Sequence, residues 1–304
     1  MSNDISSGDN KEDGELTSGT NLSYWIDSVE PLIFSPLLQN ITTETVVIGG
    51  GISGLSVAYC LAKAGRSVVL IEDGFLCSGE TGRTTAHITS ALDDRYSRLE
   101  KLLGKEASSM AGNSHSAAID FIEKVVRAEK IECEFTRCDG YLFLHPGDTT
   151  QTLHDELEAT NRTGISTMLV PDVPGIPSEK GPCLKFPAQA QFHPVKYLKG
   201  MAGAIIRYGG KIYTETRASK ISESEVIAND FTISCKQVVV ATNSPVNDRV
   251  TMHTKQHPYR TYVIGALIPR GSLPHSLWWD TGDQKSKWRT DPYHYVRVQS
   301  FNDA

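Results

Sequence analysis

Residues 45–73 read TVVIGGGISGLSVAYCLAKAGRSVVLIED. The segment opens on an apolar run, Thr45 to Ile48, and passes through a glycine cluster into a helical stretch from about Ile52 to Ala64. After Gly65 it resumes as a second apolar run, Val68 to Ile71. That order spells a β-α-β unit of about 30 residues. Strands covered on both faces read as continuous apolar runs, so these two belong inside a parallel sheet flanked by helices.

Gly49-x-Gly51-x-x-Gly54 falls between the expected strand and the expected helix. This is the context in which a dinucleotide fingerprint carries meaning. Gly49 permits the tight turn, Gly51 lets the backbone approach a pyrophosphate, and Gly54 lets the helix lie close to the sheet. The first helical N–H groups, from Ile52 and Ser53 onward, then face the phosphates with about half a positive charge behind them. Glu72 lies eighteen residues after Gly54, with Asp73 beside it. A carboxylate there accepts from ribose hydroxyls and repels a 2′-phosphate. The fingerprint alone does not separate NAD from FAD.

Working outward, 304 residues make a chain long enough to bury a real core, roughly three-quarters of the unfolded surface at this size. Hydrophobic residues at 39% and charged residues at 22% exclude a wholly disordered chain, a collagen and a membrane bundle. Five acids (Asp4, Asp9, Glu12, Asp13, Glu15) against one base, Lys11, give residues 1–22 a charge of −4 out of a net −6. That leaves no basic surplus for nucleic acid. The same residues are too polar to offset their ordering entropy and read as a disordered acidic tail. They lack the basic start and apolar block of a signal peptide, and the expected location is the cytoplasm. The most apolar window, Val46 to Ala64, contains four glycines and no stop-transfer flank, so no membrane span is expected. Six scattered cysteines show no C-x-x-C spacing, so reduced thiols are expected and no metal site. Cys60, inside the nucleotide helix, reads as core.

Beyond the β-α-β unit, residues 93–130 are helical, with Ala118, Phe121, Ile122 and Val125 forming one apolar stripe. Gly140 to His145 reads as a strand, and Asp148 as the cap of a helix reaching Thr160. After a Pro- and Gly-rich loop, His193-Pro194 opens a helix ending at Gly209-Gly210. Short strands follow at 211–214, 217–221, 231–234 and 238–240. Two alternating segments, Tyr259 to Leu267 and Tyr293 to Gln299, fit an antiparallel sheet with one covered face. The expected fold is therefore α/β: a doubly wound, Rossmann-like nucleotide domain over 40–135 and 200–250, and a second domain with a mostly antiparallel sheet over 136–199 and 251–304.

The stretch VVIGGGISGLSVAYCLAKAGRSVVLIED resembles the FAD-binding start of the glycine oxidase, sarcosine oxidase and D-amino-acid oxidase superfamily. Three further segments agree with that resemblance. SGETGRTTAHIT (78–89) falls where the family reaches the pyrophosphate and the flavin ring; Thr216 to Ala218 falls where the adenine is bracketed; VVVATN (238–243) looks like the late strand and turn that close over the cofactor. GRTTAH, with WWDT and DPYHYVR, is most similar to a bacterial subgroup whose members often carry a C-terminal Rieske domain. No C-x-H with C-x-x-H occurs here, so this stretch ligates no such cluster. The family has a further segment that returns to the flavin, which makes this chain read as C-terminally truncated.

The resemblance implies FAD as cofactor, held by Gly49, Gly51, Ile52, Ser53, Gly54, Glu72, Asp73, Arg83, Thr84, Thr85, His87, Ala218, Ala241 and Thr242. It implies oxidation of a C–N bond in a small amine or amino acid, with oxygen or another acceptor taking the electrons. Arginine and tyrosine pairs that could hold a substrate carboxylate are Arg260 with Tyr262 and Tyr295 with Arg297, since period two places each pair on one face. The bland alternatives are a solvated Arg83, a helix cap at Thr84 and Thr85, a structural His87, and arginines and tyrosines on a solvated sheet. An NAD-dependent dehydrogenase and a truncated, non-catalytic nucleotide-fold protein are the competing functions; no His or Lys with an acid partner stands out for the former. Catalytic residues, oligomeric state and substrate identity are not readable from the residues.

Overall fold

The computed structural model describes residues 22–176, 181–244, 246, 261–283 and 293–300. In chain order it runs α1 (Tyr24–Asp27), β1 (Ile41–Thr42), β2 (Thr45–Ile48), α2 (Ile52–Lys63) and β3 (Val68–Ile71). A 3-10 turn (Glu80–Arg83) leads to β4 (His87–Ile88), α3 (Tyr96–Glu129), β5 (Thr136–Phe143), α4 (Thr150–Thr163), β6 (Met168–Val170) and β7 (Cys183–Gln191). Then come α5 (Pro194–Arg207), β8 (Lys211–Tyr213), β9 (Ala218–Ile221), β10 (Glu225–Ala228), β11 (Phe231–Ser234), β12 (Gln237–Val240), β13 (Ser276–Asp280) and β14 (Tyr295–Arg297).

The two apolar runs lie side by side in parallel, Val46 against Val69 and Ile48 against Ile71, and every residue in them is buried. β12 and β8 complete a four-stranded parallel sheet in the order β12-β2-β3-β8. One face takes α2 and α5, with Val47 and Leu70 packed among Leu55, Tyr59, Leu198 and Met201. The other face is covered by a second sheet, β1-β11-β10-β9, rather than by helices: Val46, Ile48, Val69 and Ile71 pack on Val226, Ala228 and Ile233. An apolar sheet face requires an apolar cover, and the buried face of another sheet supplies it as well as a helix does.

Helix α2 buries Leu55, Ala58, Tyr59 and Ala62, the i, i+3, i+4, i+7 stripe of an amphipathic helix. Cys60 falls out of phase with that stripe and is exposed, so the expectation of a core cysteine is corrected. In α3 the expected stripe fails only at its first member: Val125 is buried and Phe121 and Ile122 pack on the core, while Ala118 is exposed and Ile119 is buried instead. At α4 the N-cap residue is Thr149, while the Asp148 carboxylate accepts from the Thr149 N–H at 2.7 Å and the Thr152 hydroxyl at 2.8 Å.

The third sheet has the order β14-β13-β5-β7-β4, with β6 also on β7. Its pairs are antiparallel except β13 with β5. Trp278 and Trp279 sit on β13, an inner strand, and are buried on its opposite faces. Residues 261–269 form no strand, and Tyr262, Val263, Ile264 and Leu267 are exposed, so the expected strand over 259–267 is absent where it is described. Residues 259 and 260 lie outside the described residues. Alternation marks a candidate strand, but a strand exists only where a neighbour completes its hydrogen-bond ladder. No helix among the described residues is long and apolar enough to cross a membrane.

Candidate functional site

The connection from β2 to α2 is built on glycine for steric reasons that differ at each position. Gly49 has φ of +116°, and a Cβ there would stand 2.4 Å from the Ala241 carbonyl oxygen of the strand-to-turn junction after β12. At Gly54 a Cβ would lie 1.9 Å from the Gly49 oxygen, so the helix presses on the turn itself as well as on Val47 of the sheet. At Gly51 a Cβ would meet only the Thr81 hydroxyl, at 3.1 Å, which leaves the space in front of that residue open.

That open space belongs to a cleft of about 960 Å³. Its floor is Gly49–Ser53, one wall is Ser78–Thr81, and the other is formed by Thr216–Ala218 with Val239–Ser244 and Val246. The cleft therefore lies beyond the C-terminal ends of β2, β3 and β12, the place where open α/β sheets bind ligands. Gly49, Gly51, Ile52, Ser53, Glu72, Asp73, Ala218, Ala241 and Thr242 all line it, while Gly54 supports it from behind. Residues 49–53, 72–73, 216–218 and 241–242, distant in sequence, are thus brought to one opening.

Glu72 and Asp73 occupy different positions in it. The Glu72 carboxylate is half-buried and accepts from the Gly50 N–H at 2.5 Å and the Gly74 N–H at 3.2 Å, so it braces the glycine turn. Burial raises its pKa, with neighbouring Asp73 acting in the same direction and the two N–H groups opposing. Asp73 lines the cleft and is exposed, its carboxyl group beside that of Glu72. Cys77 closes the base; burial pushes its thiol up to about 12, with Glu72 adding to the effect, so it is no nucleophile.

Several cleft residues were not singled out in the sequence, although all but Ser244 fall in the segments named for the cofactor. The Thr81 hydroxyl accepts from the Ile52 N–H at 3.1 Å and stands at the free end of α2. Ser78, Arg217, Asn243 and Ser244 also line the opening. Ser78 and Thr81 were signalled by the Ser- and Thr-rich loop, but nothing in the sequence ranked Thr81 above Thr84 or Thr85.

Arg83, Thr84, Thr85 and His87 stand outside the cleft lining. Arg83 is exposed and donates to the carbonyls of Ser78 and Gly79, bracing the loop that forms the cleft wall. The Thr84 hydroxyl accepts from the Ala86 N–H at 3.1 Å. Both ring nitrogens of His87 are buried without a well-formed hydrogen bond, the Val296 backbone offering only a weak one. Burial, then the charge of Arg297, pulls the His87 pKa down to about 3, so the ring is neutral.

Of the two arginine and tyrosine pairs, Arg260 lies outside the described residues and Tyr262 is 74% exposed. Tyr295 and Arg297 do share a face with His87. The Tyr295 ring stands edge-on to His87 at 5.1 Å and its hydroxyl donates to Asp93. The Arg297 guanidinium is committed to backbone carbonyls, Gln299 and the Trp25 ring, with only Nε lacking a partner. Among the described residues no cluster of His, Cys, Asp and Glu has the arrangement of a metal site.

The residues present fit a dinucleotide coenzyme. Turn glycines that tolerate no Cβ, a helix start facing open space, an acid at the end of β3 and a cleft of that volume are its requirements.

Comparison with known proteins agrees. Residues 44–299 match the model of the FAD dependent oxidoreductase (DAO) family. The chain is 32% identical over 261 residues to YhfW of Bacillus subtilis (strain 168), a protein named for a Rieske 2Fe-2S centre, covering 84% of this chain and 51% of that one. It is 26% identical over 273 residues to gamma-glutamylputrescine oxidoreductase of Escherichia coli (strain K12), covering 86% and 64%. The chain thus spans about half to two-thirds of the length of these relatives. Among solved structures it resembles L-proline dehydrogenase from P. horikoshii, with a TM-score of 0.57 at 23% identity over 67% of this chain and 54% of that one. Glycine oxidase from Geobacillus kaustophilus gives a TM-score of 0.57 at 15% identity over 67% and 56%, and at such identities the likeness concerns the fold. With the family model spanning residues 44–299 on this architecture, the chain belongs to the FAD dependent oxidoreductase family.

Proposed function

We propose that the cleft from Gly49 to Val246 binds FAD and that the protein oxidises a C–N bond of a small amine or amino acid. The observation that carries this reading is the convergence of the glycine turn, the acid pair and the Thr216–Ala218 and Ala241–Thr242 walls on one opening at the end of a parallel sheet. The turn and the start of α2 would hold the diphosphate, with Thr81 beside it; Asp73, braced by Glu72, would accept from the ribose. Thr216–Ala218 would bracket the adenine, and Ala241–Ser244 would close over the cofactor. Arg83, Thr84, Thr85 and His87 would lie toward its ring end. FAD held there would supply a two-electron acceptor for the hydride of the C–H beside nitrogen, and water would hydrolyse the resulting imine. The protein's own part is to place that C–H and to exclude water, which the neutral His87 in its dry surroundings favours.

The name of one relative, an oxidoreductase of gamma-glutamylputrescine, supports a small amine as the substrate class. Residues 40–135 with 200–250 would form the cofactor domain and 136–199 with 251–304 the substrate domain. Oxygen or another acceptor would reoxidise the flavin. The test is anaerobic: purified, FAD-loaded protein is mixed with a panel of amines and amino acids while its visible absorbance is followed. Bleaching by at least one of them is expected. Yellow protein that none of them bleaches would favour FAD binding without this catalysis.

A further inference from the structure

Arg297 is a partly buried cation whose hydrogen-bond partners among the described residues are all neutral. One terminal nitrogen donates to the carbonyls of Thr85 (3.1 Å), Ala86 (3.0 Å) and Phe192 (3.2 Å), and the other donates to the Gln299 side chain at 2.5 Å. The guanidinium lies 4.9 Å from the centre of the Trp25 ring. With one terminal nitrogen shared among three carbonyls and the other on Gln299, the guanidinium acts as a backbone clamp, and little of Arg297 is left for a substrate carboxylate.

The clamped segment is unusual in itself. Ala86 has φ of +57°, the left-handed region that a residue with a Cβ avoids, and it is buried. Such a conformation persists only where surrounding contacts over-determine it. Here they do: the Ala86 N–H is held by the Thr84 hydroxyl at 3.1 Å and its carbonyl by Arg297. The Thr84 carbonyl accepts from the Trp25 indole at 2.7 Å, so three successive carbonyls, of Thr84, Thr85 and Ala86, are all claimed by Trp25 and Arg297.

The clamp also bridges the ends of the third sheet. β14 and β4 are its two edge strands in the order β14-β13-β5-β7-β4, yet Arg297 of β14 reaches the residues leading into β4. Gln191 of β7 makes a second crossing, donating to the Val298 carbonyl at 3.1 Å. His87, the first residue of β4, pairs with Gln191, and its ring meets the Tyr295 ring of β14 at nearly a right angle.

We propose that Arg297 is a positioning residue: a latch thrown from β14 that holds the Thr84–Ala86 turn in its left-handed form and so fixes where His87 stands. The functional consequence rests on the reading that residues 83–87 border the ring end of the cofactor, whereas the latch itself does not. The charge of Arg297 also helps to keep the His87 ring neutral.

The test uses the full chain and three variants, Arg297→Lys, Ala86→Gly and the double variant. Lysine keeps the charge, but its ammonium ends one bond short of the arginine's terminal nitrogens and offers no second nitrogen for Gln299 and no plane for the Trp25 ring. Amide hydrogen exchange across residues 84–88 should speed up at least tenfold in Arg297→Lys while exchange in β2 and β3 stays within twofold of wild type. Glycine adopts positive φ without strain, so Ala86→Gly on the Arg297→Lys background should return exchange to within threefold of wild type. In FAD-loaded protein, Arg297→Lys should leave the FAD dissociation constant within threefold, change the visible flavin band and regain it in the double variant. Unchanged exchange at 84–88, a uniform rise across the chain, or no rescue by Ala86→Gly would overturn the latch. If wild-type protein takes up no FAD, the functional reading fails while the exchange arm still decides the latch. Should Arg297→Lys not fold, Trp25→Phe, which removes the indole N–H to Thr84, is expected to give a threefold or larger rise at the same residues. No rise there would overturn the proposal.

Discussion

Gly54 and Gly51 sit three residues apart in one motif and answer to different constraints. A methyl group at Gly54 would land 1.9 Å from the Gly49 carbonyl oxygen, a backbone atom that cannot move without opening the turn. Gly54→Ala is therefore expected to cost ~1–3 kcal/mol of stability and to weaken FAD binding at least tenfold. At Gly51 the added methyl meets only the Thr81 hydroxyl at 3.1 Å, so Gly51→Ala should fold normally and lose affinity only through what it places in the diphosphate's way. Urea unfolding paired with FAD titration separates the two. His193 provides a second check at this scale. It is fully buried, its Nδ1 accepts from the Lys196 N–H and its Nε2 pairs with Ser28. Burial, then the Lys196 charge, lowers its pKa from 6.5 to about 4, and His87 is lowered likewise to about 3. Both imidazoles protonate more readily in the unfolded chain. Stability is thus fully present above pH 6.5 and falls as pH drops toward 4 and then 3, by up to about 1.4 kcal/mol per pH unit for each group. Unfolding free energies from pH 7 to 5 should decline, and the decline should flatten in His193→Gln; an unaltered slope in that variant would remove His193 from the account.

At the scale of elements, what was legible in the sequence is what carried its own period and punctuation. β2, α2 and β3 combine two apolar runs, a 3.6-residue stripe and glycines at both ends of the helix, and all three form within a residue of expectation. β11, expected over 231–234, is likewise found there. β13 was not legible as a strand, because SLWWD shows no alternation and its strand character comes from being wedged between β5 and β14. The segment 261–267 alternates better than β13 does, yet forms no strand, since pairing partners are a property of the fold and not of the local pattern. Thr81 was hidden for a related reason: its hydroxyl matters because the 3-10 turn carries it to the start of α2. Thr81→Val, which keeps the shape and removes the acceptor, should leave the Ile52 N–H unsatisfied and cost about 1 kcal/mol. Calorimetric unfolding would show this, and FAD affinity should fall several-fold with it.

Across the whole molecule, three sheets divide the work. The parallel sheet sets the glycine turn at the mouth of the cleft, the small sheet covers its second face and supplies Ala218, and the third sheet brings His87, Tyr295 and Arg297 together. Family membership was readable because the β-α-β unit and glycine turn that signal it are local, spanning residues 45–73. The convergence of His87 with Arg297 was not, because it depends on the two edge strands of one sheet meeting, which no spacing within either strand reveals. The central claim is that the turn between β2 and α2 grips the diphosphate of FAD. Its most direct test is a titration of FAD into the purified chain, with flavin fluorescence and visible absorbance followed together in wild type and Gly54→Ala. Saturable one-to-one uptake in wild type, lost at least tenfold in the variant and not competed by NAD, is the expected result. Equal uptake by the two proteins, no uptake by wild type, or displacement of FAD by NAD would contradict it.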